Sequence, residues 1–303
     1  MKPKILLCGG WGWSATSPLI YTLQRNIKYA HFGYGKTFRY IGNSNKKHLK
    51  TYNQICNKTW ENFEKGKPGT HHMNHTIDLE PLHDFSLDHL HKLMSGDPTV
   101  PKYMEFYHAL HDHVITKGYK SLGDGCMGRF SFYNTPEDAI EYSEALKSEF
   151  DVKVLLIARD PVRRAFSHYL YNLAFTAEKG KPITPRLLKF PDYANEVRTI
   201  RRYYDNVYVT VMEELWERDG AKELSEFLDY PITNLWKNLY APDRGHFIEH
   251  DEDVACQGWG QQIAELTPEI YYHYRKKYDH IYQAWKWEFG SLPLQWGEPI
   301  EYT

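Results

Sequence analysis

Two short segments combine turn-forming backbone, hydroxyls and guanidinium groups in a way suited to holding phosphate. The first is Gly9-Gly10-Trp11-Gly12-Trp13-Ser14-Ala15-Thr16-Ser17. Glycines let backbone amides turn inward, and small hydroxyl residues at a helix start add donors where the helix dipole already favours an anion. The run lacks the lysine of GxxxxGK[ST], which argues against a magnesium-dependent kinase or ATPase. Ordinary capping of a tight strand-to-helix turn is the bland alternative for this segment. The second is Arg159-Asp160-Pro161-Val162-Arg163-Arg164-Ala165-Phe166-Ser167-His168-Tyr169. A guanidinium fork at a strand end and a hydroxyl nearly two helical turns later can grip one phosphate from two directions. The competing reading pairs Arg159 with a neighbouring acid and turns Ser167 to solvent.

Histidines form the other chemical cluster. Nine of the 16 fall between His71 and His113, in His71-His72-Met73-Asn74-His75 and His108-Ala109-Leu110-His111-Asp112-His113 among others. Imidazole titrates near neutral pH, so any of these could serve as a base. His108 and His111, with His113 and His72, could also ligate zinc, but no HExxH pattern supplies the spacing that helical zinc sites favour. No metal is expected.

The elements that must position these groups read as α/β. Ile5 to Cys8, Val152 to Ala158 and Val207 to Met212 are short, apolar or β-branched runs, each followed by a helical pattern, which predicts buried parallel strands. Leu19, Leu23 and Ile27 recur at helical spacing behind Pro18. Asp160-Pro161 reads as a cap and first helical residue, with Val162, Ala165, Phe166, Tyr169 and Leu173 on one apolar face. Thr135-Pro136-Glu137-Asp138 opens another helix, running to about Lys147. A helical, aromatic tail extends from Thr267 to about Glu288, its rings assigned to packing. The stretch 30–118 is irregular and is expected to be an insertion or lid on the acceptor side of a single domain, 1–303.

The 303-residue chain is near neutral, with 37 Lys+Arg against 39 Asp+Glu, so it lacks the excess basicity a nucleic-acid footprint needs. Cys8, Cys56, Cys126 and Cys256 are far apart, which argues against a disulfide framework. No apolar run approaches the ~18 residues of a membrane span, and the N-terminal run is too short for a signal peptide. A soluble, cytoplasmic protein is expected.

The second segment resembles the 3′-phosphate site of sulfotransferases that use 3′-phosphoadenosine-5′-phosphosulfate (PAPS). Their pattern R-x-P-x-x-R-x-x-S-x-Y is matched from Arg159 to Tyr169 at every specified position. Ser14-Ala15-Thr16-Ser17 looks like the family's 5′-phosphosulfate run, and Met212-Glu213-Glu214-Leu215 with Leu224 to Pro231 is similar to a further family stretch. The resemblance implies a central parallel sheet of P-loop NTPase-like type flanked by helices. It implies PAPS held by Gly12, Trp13, Ser14, Ala15, Thr16, Ser17, Arg159 and Ser167. It also implies sulfuryl transfer to a hydroxyl, less readily an amine, on a small molecule or saccharide, without a metal.

Two positions depart from the family. Trp13 stands where the family has Lys or Arg, and Thr37 stands where it often has a general-base Glu. Lys36 could replace the missing charge, and Asp124 could correspond to the acid of a Glu-Lys-Ser-Pro run. A protein that binds PAPS or its desulfated product with weak or lost catalysis is therefore an alternative, as is another P-loop-type enzyme such as a nucleotide kinase.

Overall fold

The computed structural model describes residues 2–11, 16–33, 80–86, 88–89, 92, 99–127, 136–178, 190–215, 218–232 and 266–297. Five parallel strands form one sheet: β1 (Lys4–Gly10), β2 (Ala30–His31), β3 (Ser121–Met127), β4 (Asp151–Ala158) and β5 (Val207–Val211), in the order β2-β3-β1-β4-β5. Helices cover both faces: α1 (Thr16–Tyr21), α2 (Val100–Thr116), α3 (Pro136–Glu149), α4 (Pro161–Glu178), α5 (Tyr193–Arg201), α6 (Met212–Leu215), α7 (Arg218–Leu228), α8 (Pro268–Lys277), α9 (Asp279–Phe289) and α10 (Leu294–Gly297). The expected α/β class with a helix-flanked parallel sheet is what the chain adopts.

Alternation along β1 divides the core. Ile5 and Leu7 join Tyr107, Leu146, Val154, Leu156, Val197 and Trp285 on one face, whereas Leu6 and Cys8 join Leu19, Leu23, Leu155, Ile157, Leu224 and Leu228 on the other. Successive side chains of a strand point to opposite faces, so a strand buried on both sides must be apolar throughout. β1 from Ile5 and β4 from Val154 meet that condition.

Two strands were not legible in the sequence. β3 reads Ser-Leu-Gly-Asp-Gly-Cys-Met, which has none of the β-branched residues that mark strands. Packing explains its composition. A Cβ on Gly123 would lie 2.8 Å from the Phe32 ring, so a side chain here would displace the aromatic that seals this face. β2 is only Ala30–His31. Both ends of the 30–118 stretch expected as an insertion are thus framework: β2 pairs with β3, and α2 buries Tyr103, Phe106, Tyr107, Leu110 and Val114 in the core. Residues 34–79 of that stretch lie outside the described residues.

The C-terminal tail is helical as expected, in two helices, α8 capped by the Thr267 side chain and separated from α9 at Tyr278. Among the described residues, no helix is long and apolar enough to cross a membrane.

Candidate anion-binding site

The strand order creates a crevice beside β1. Helix α1, after β1, packs on one face through Leu19 and Ile20, followed by Leu23 in the helical turn Thr22–Asn26, while α3 after β3 and α4 and α5 after β4 pack on the other through Tyr142, Val162 and Val197. Chains leaving adjacent strands therefore diverge to opposite faces. Such divergence at the carboxyl ends is where open α/β sheets bind ligands.

Register brings the two candidate segments to that edge. Gly10 pairs with Ile157, so Trp11 and Ala158 are each one residue further on and Arg159 emerges at the same edge as Trp11. The approach is close: a Cβ on Gly10 would lie 2.6 Å from Ile157 Cγ2, 2.7 Å from Thr16 Cγ2 and 2.8 Å from the Ile157 carbonyl oxygen. Glycine is therefore required by the close approach of the neighbouring strand and the helix start. Thr16 is buried at the start of α1, and Ser17 follows it in that helix. Gly12, Trp13, Ser14 and Ala15 lie outside the described residues.

Arg159 and Ser167 come together. Arg159 Nη1 donates to Ser167 Oγ at 2.9 Å, across the eight residues that separate them in sequence. Since the serine oxygen accepts this bond, its own O–H remains a donor. A guanidinium and a hydroxyl donor at one point form a donor set matched to phosphate.

The start of α4 is held from several directions. Asp160 caps the helix, its Oδ1 accepting from the Arg163 N–H at 2.8 Å. Its Oδ2 accepts from the Tyr271 and Tyr282 hydroxyls at 2.9 and 3.1 Å. The Asp160 N–H donates to Glu213 Oε1 at 3.1 Å, and Trp296 Nε1–H donates to Glu213 Oε2 at 3.1 Å. The Tyr193 hydroxyl donates to the Arg159 carbonyl at 2.7 Å. Trp11, directly after β1, packs edge-on against Tyr193 with centroids 4.3 Å apart and donates through Nε1 to Glu196 Oε2 at 2.7 Å. Helix α5 thus touches both sides of the crevice.

The sequence pointed to the Asp160 cap and to the Glu213 segment. It did not point to Tyr193, Tyr271 or Tyr282 as hydrogen-bonding partners. Tyr271 and Tyr282 were expected only to pack, and they do pack, but their hydroxyls also satisfy a carboxylate more than 100 positions away. No local pattern carries that information.

Burial pushes the Asp160 carboxyl from its ordinary 3.8 up to about 6, opposed by the bond from Arg163, raised further by Glu213 and opposed again by the bond from Tyr271. The folded protein therefore favours the protonated acid more than the unfolded chain does. The contribution of Asp160 to stability is fully present below about pH 4 and is lost as pH rises through about 6, a change of about 3 kcal/mol. Asp160→Asn removes this titration. Urea unfolding of both proteins between pH 4 and 7 is expected to show the wild type losing stability relative to the variant as pH rises; a constant difference would contradict the assignment.

The remaining candidates lie elsewhere. Asp124 is in the middle of β3, opposite Leu7 and three residues before the strand ends, and is buried with its Oδ2 accepting from the Tyr107 hydroxyl at 2.8 Å. Lys36, Thr37, His71, His72 and His75 lie outside the described residues. His108 pairs with Glu149 and stacks on Phe150, His111 faces Asp112, and His113 donates to the Pro81 carbonyl at 2.8 Å. Among the described residues no group of three or more His, Cys, Asp or Glu is placed to share a metal ion.

Fold and site together define an open, parallel α/β protein with a guanidinium–hydroxyl pair at the carboxyl edge of its central strands. No family model matches the chain, and no curated protein matches it. Among solved structures, it is similar to a sulfotransferase from Alicyclobacillus acidocaldarius, at 13% identity and a TM-score of 0.40, over 98% of this chain and 99% of that one. It is similar also to the sulfotransferase domain of the Synechococcus PCC 7002 olefin synthase, at 12% identity and a TM-score of 0.40, over 77% and 75% of the two chains. A retinol dehydratase in complex with androsterone and the inactive cofactor PAP is similar at 12% identity and a TM-score of 0.30, over 76% of this chain and 60% of that one. Likeness at this level does not carry chemistry, which must come from the residues at the crevice.

Proposed function

We propose that the protein binds PAPS across the carboxyl edge of the sheet and transfers its sulfuryl group to a hydroxyl acceptor. The observation that carries this reading is the Arg159 to Ser167 contact just beyond β4, the strand paired with Gly10 at the end of β1. Arg159 and Ser167 would hold the 3′-phosphate. Gly12 to Ser17, at the start of α1, would hold the 5′-phosphosulfate. PAPS supplies an activated sulfuryl group. The acceptor oxygen bonds to sulfur as the bridging oxygen–sulfur bond breaks, the acceptor proton passes to a base, and 3′-phosphoadenosine-5′-phosphate (PAP) departs. Lys36 is proposed to neutralise charge on the departing phosphate in place of the family's first-loop cation, and Asp124 is proposed as the acid aligned with its Glu-Lys-Ser-Pro run. No metal is needed, and acceptors include small molecules and saccharides.

Trp13 and Thr37 favour one other reading, a PAPS or PAP binder with little turnover, because neither residue can supply the charge or base found at those positions in the family. Calorimetric titration with PAP tests the shared premise: saturable binding is expected, and its absence would sink both readings. Radiolabelled PAPS with an acceptor panel separates them. Transfer of label supports the enzyme, whereas binding without transfer supports the binder. A magnesium-dependent preference for ATP would instead indicate a nucleotide kinase.

A further inference from the structure

The Arg159 carbonyl and the Asp160 N–H belong to one planar peptide unit, and each is bonded to a side chain far away in sequence. Tyr193 donates its hydroxyl to the carbonyl at 2.7 Å, and Glu213 Oε1 accepts from the N–H at 3.1 Å. This peptide is the first beyond β4, where sheet hydrogen bonding ends. A peptide held at both its oxygen and its nitrogen cannot rotate about the flanking bonds without breaking one contact.

The two holding groups are themselves fixed. Tyr193 is buried among Trp11, Trp285 and Trp296, with ring centroids 4.3, 5.6 and 5.8 Å away. Glu213 opens α6 directly after β5, and its second oxygen accepts from Trp296 Nε1 at 3.1 Å. Both contacts depend on elements that follow α4 in the chain, so the direction in which Arg159 leaves the sheet is set by α5 and α6.

We propose that Tyr193 and Glu213 are positioning residues that clamp the Arg159–Asp160 peptide and thereby aim the Arg159 guanidinium at the 3′-phosphate of an adenosine 3′,5′-bisphosphate. The inference rests on the PAPS reading above. It adds the residues on which that site's discrimination between a nucleotide bearing a 3′-phosphate and one lacking it depends. Neither residue touches the ligand in this scheme. Each acts through the backbone of the residue that does.

The test compares PAP with adenosine 5′-phosphate, which lacks the 3′-phosphate, in titrations of the full chain. Tyr193→Phe keeps the buried ring and removes one hydrogen bond; it is expected to weaken PAP by about tenfold while leaving adenosine 5′-phosphate unchanged. Glu213→Gln has one carbonyl oxygen to serve two donors and is expected to act the same way, which keeps the proposal testable if the first variant fails to fold. In the Arg159→Ala background, Tyr193→Phe should have no further effect, because the group being aimed is gone. Equal weakening of both nucleotides, additive loss in the double variant, or unchanged PAP affinity in both single variants would each overturn the clamp. Wild-type protein that does not bind PAP, or binds it equally well as Arg159→Ala, would overturn the site reading and the clamp with it. Loss of PAP in Arg159→Ala but not in Tyr193→Phe or Glu213→Gln would overturn the clamp alone.

Discussion

Arg159→Ala is expected to weaken PAP binding roughly 100-fold, so that saturation requires correspondingly higher nucleotide concentrations than in the wild-type protein. The size follows from what the side chain does at the crevice. Its guanidinium supplies charge and a planar donor fork, and one arm already donates to Ser167 Oγ at 2.9 Å. Removing it eliminates the cation and loosens the serine that it orients. Ser167→Ala should cost less, about tenfold, because a single hydroxyl donor is lost while the charge stays. Arg159→Lys should fall between the two, since a point charge cannot donate in a fixed fork to both serine and phosphate. All three lie at a half-buried edge, so circular dichroism and thermal midpoint should change little. PAP affinity equal to wild type in Arg159→Ala would remove the basis for the proposed function.

Gly10→Ala is the change expected to damage the protein most. The new methyl would lie 2.6 Å from Ile157 Cγ2 and 2.8 Å from the Ile157 carbonyl oxygen. Side-chain rotation could relieve the first clash, but the carbonyl belongs to the backbone of β4, which pairs with β1 along its whole length. Overpacking at such a point costs about 3 kcal/mol or more, enough to lower the thermal midpoint by several degrees. The third neighbour, Thr16, starts α1. The start of α1 should therefore shift as well. Denaturant unfolding at a fixed pH measures the stability change, and PAP titration on the surviving folded fraction reads displacement of that helix start. Stability within 0.5 kcal/mol of wild type, roughly the scatter of harmless surface changes, would contradict the packing argument.

The α/β class, the helix-starting proline after Asp160 and the Arg159 to Ser167 pairing could be read from the chain because each is local. β1 from Ile5 to Cys8 and β4 from Val154 to Ala158 are continuous apolar runs, and burial on both faces permits little else. A spacing of eight places Arg159 at a strand end and Ser167 two turns into the helix that follows, near enough to meet. By contrast, β3 carries glycines and an aspartate where a pattern search expects branched apolar residues, for reasons that appear only once Phe32 and Tyr107 are packed against it. Asp124 could be noted as an acid from the sequence, but its place within a strand, bonded to a tyrosine from α2, could not.

What the amino-acid order determined by itself was therefore the set of strongly periodic elements and one short guanidinium–hydroxyl pairing across a strand-to-helix junction. These depend on residues within about two helical turns of one another, where backbone geometry alone fixes separation. The tertiary structure decided how that junction is aimed. Tyr193, Glu213, Tyr271 and Tyr282 come from four other helices to hold the Arg159–Asp160 segment. Which hydroxyl meets which carbonyl over such distances depends on how the helices pack onto the sheet, and no local run of residues records it.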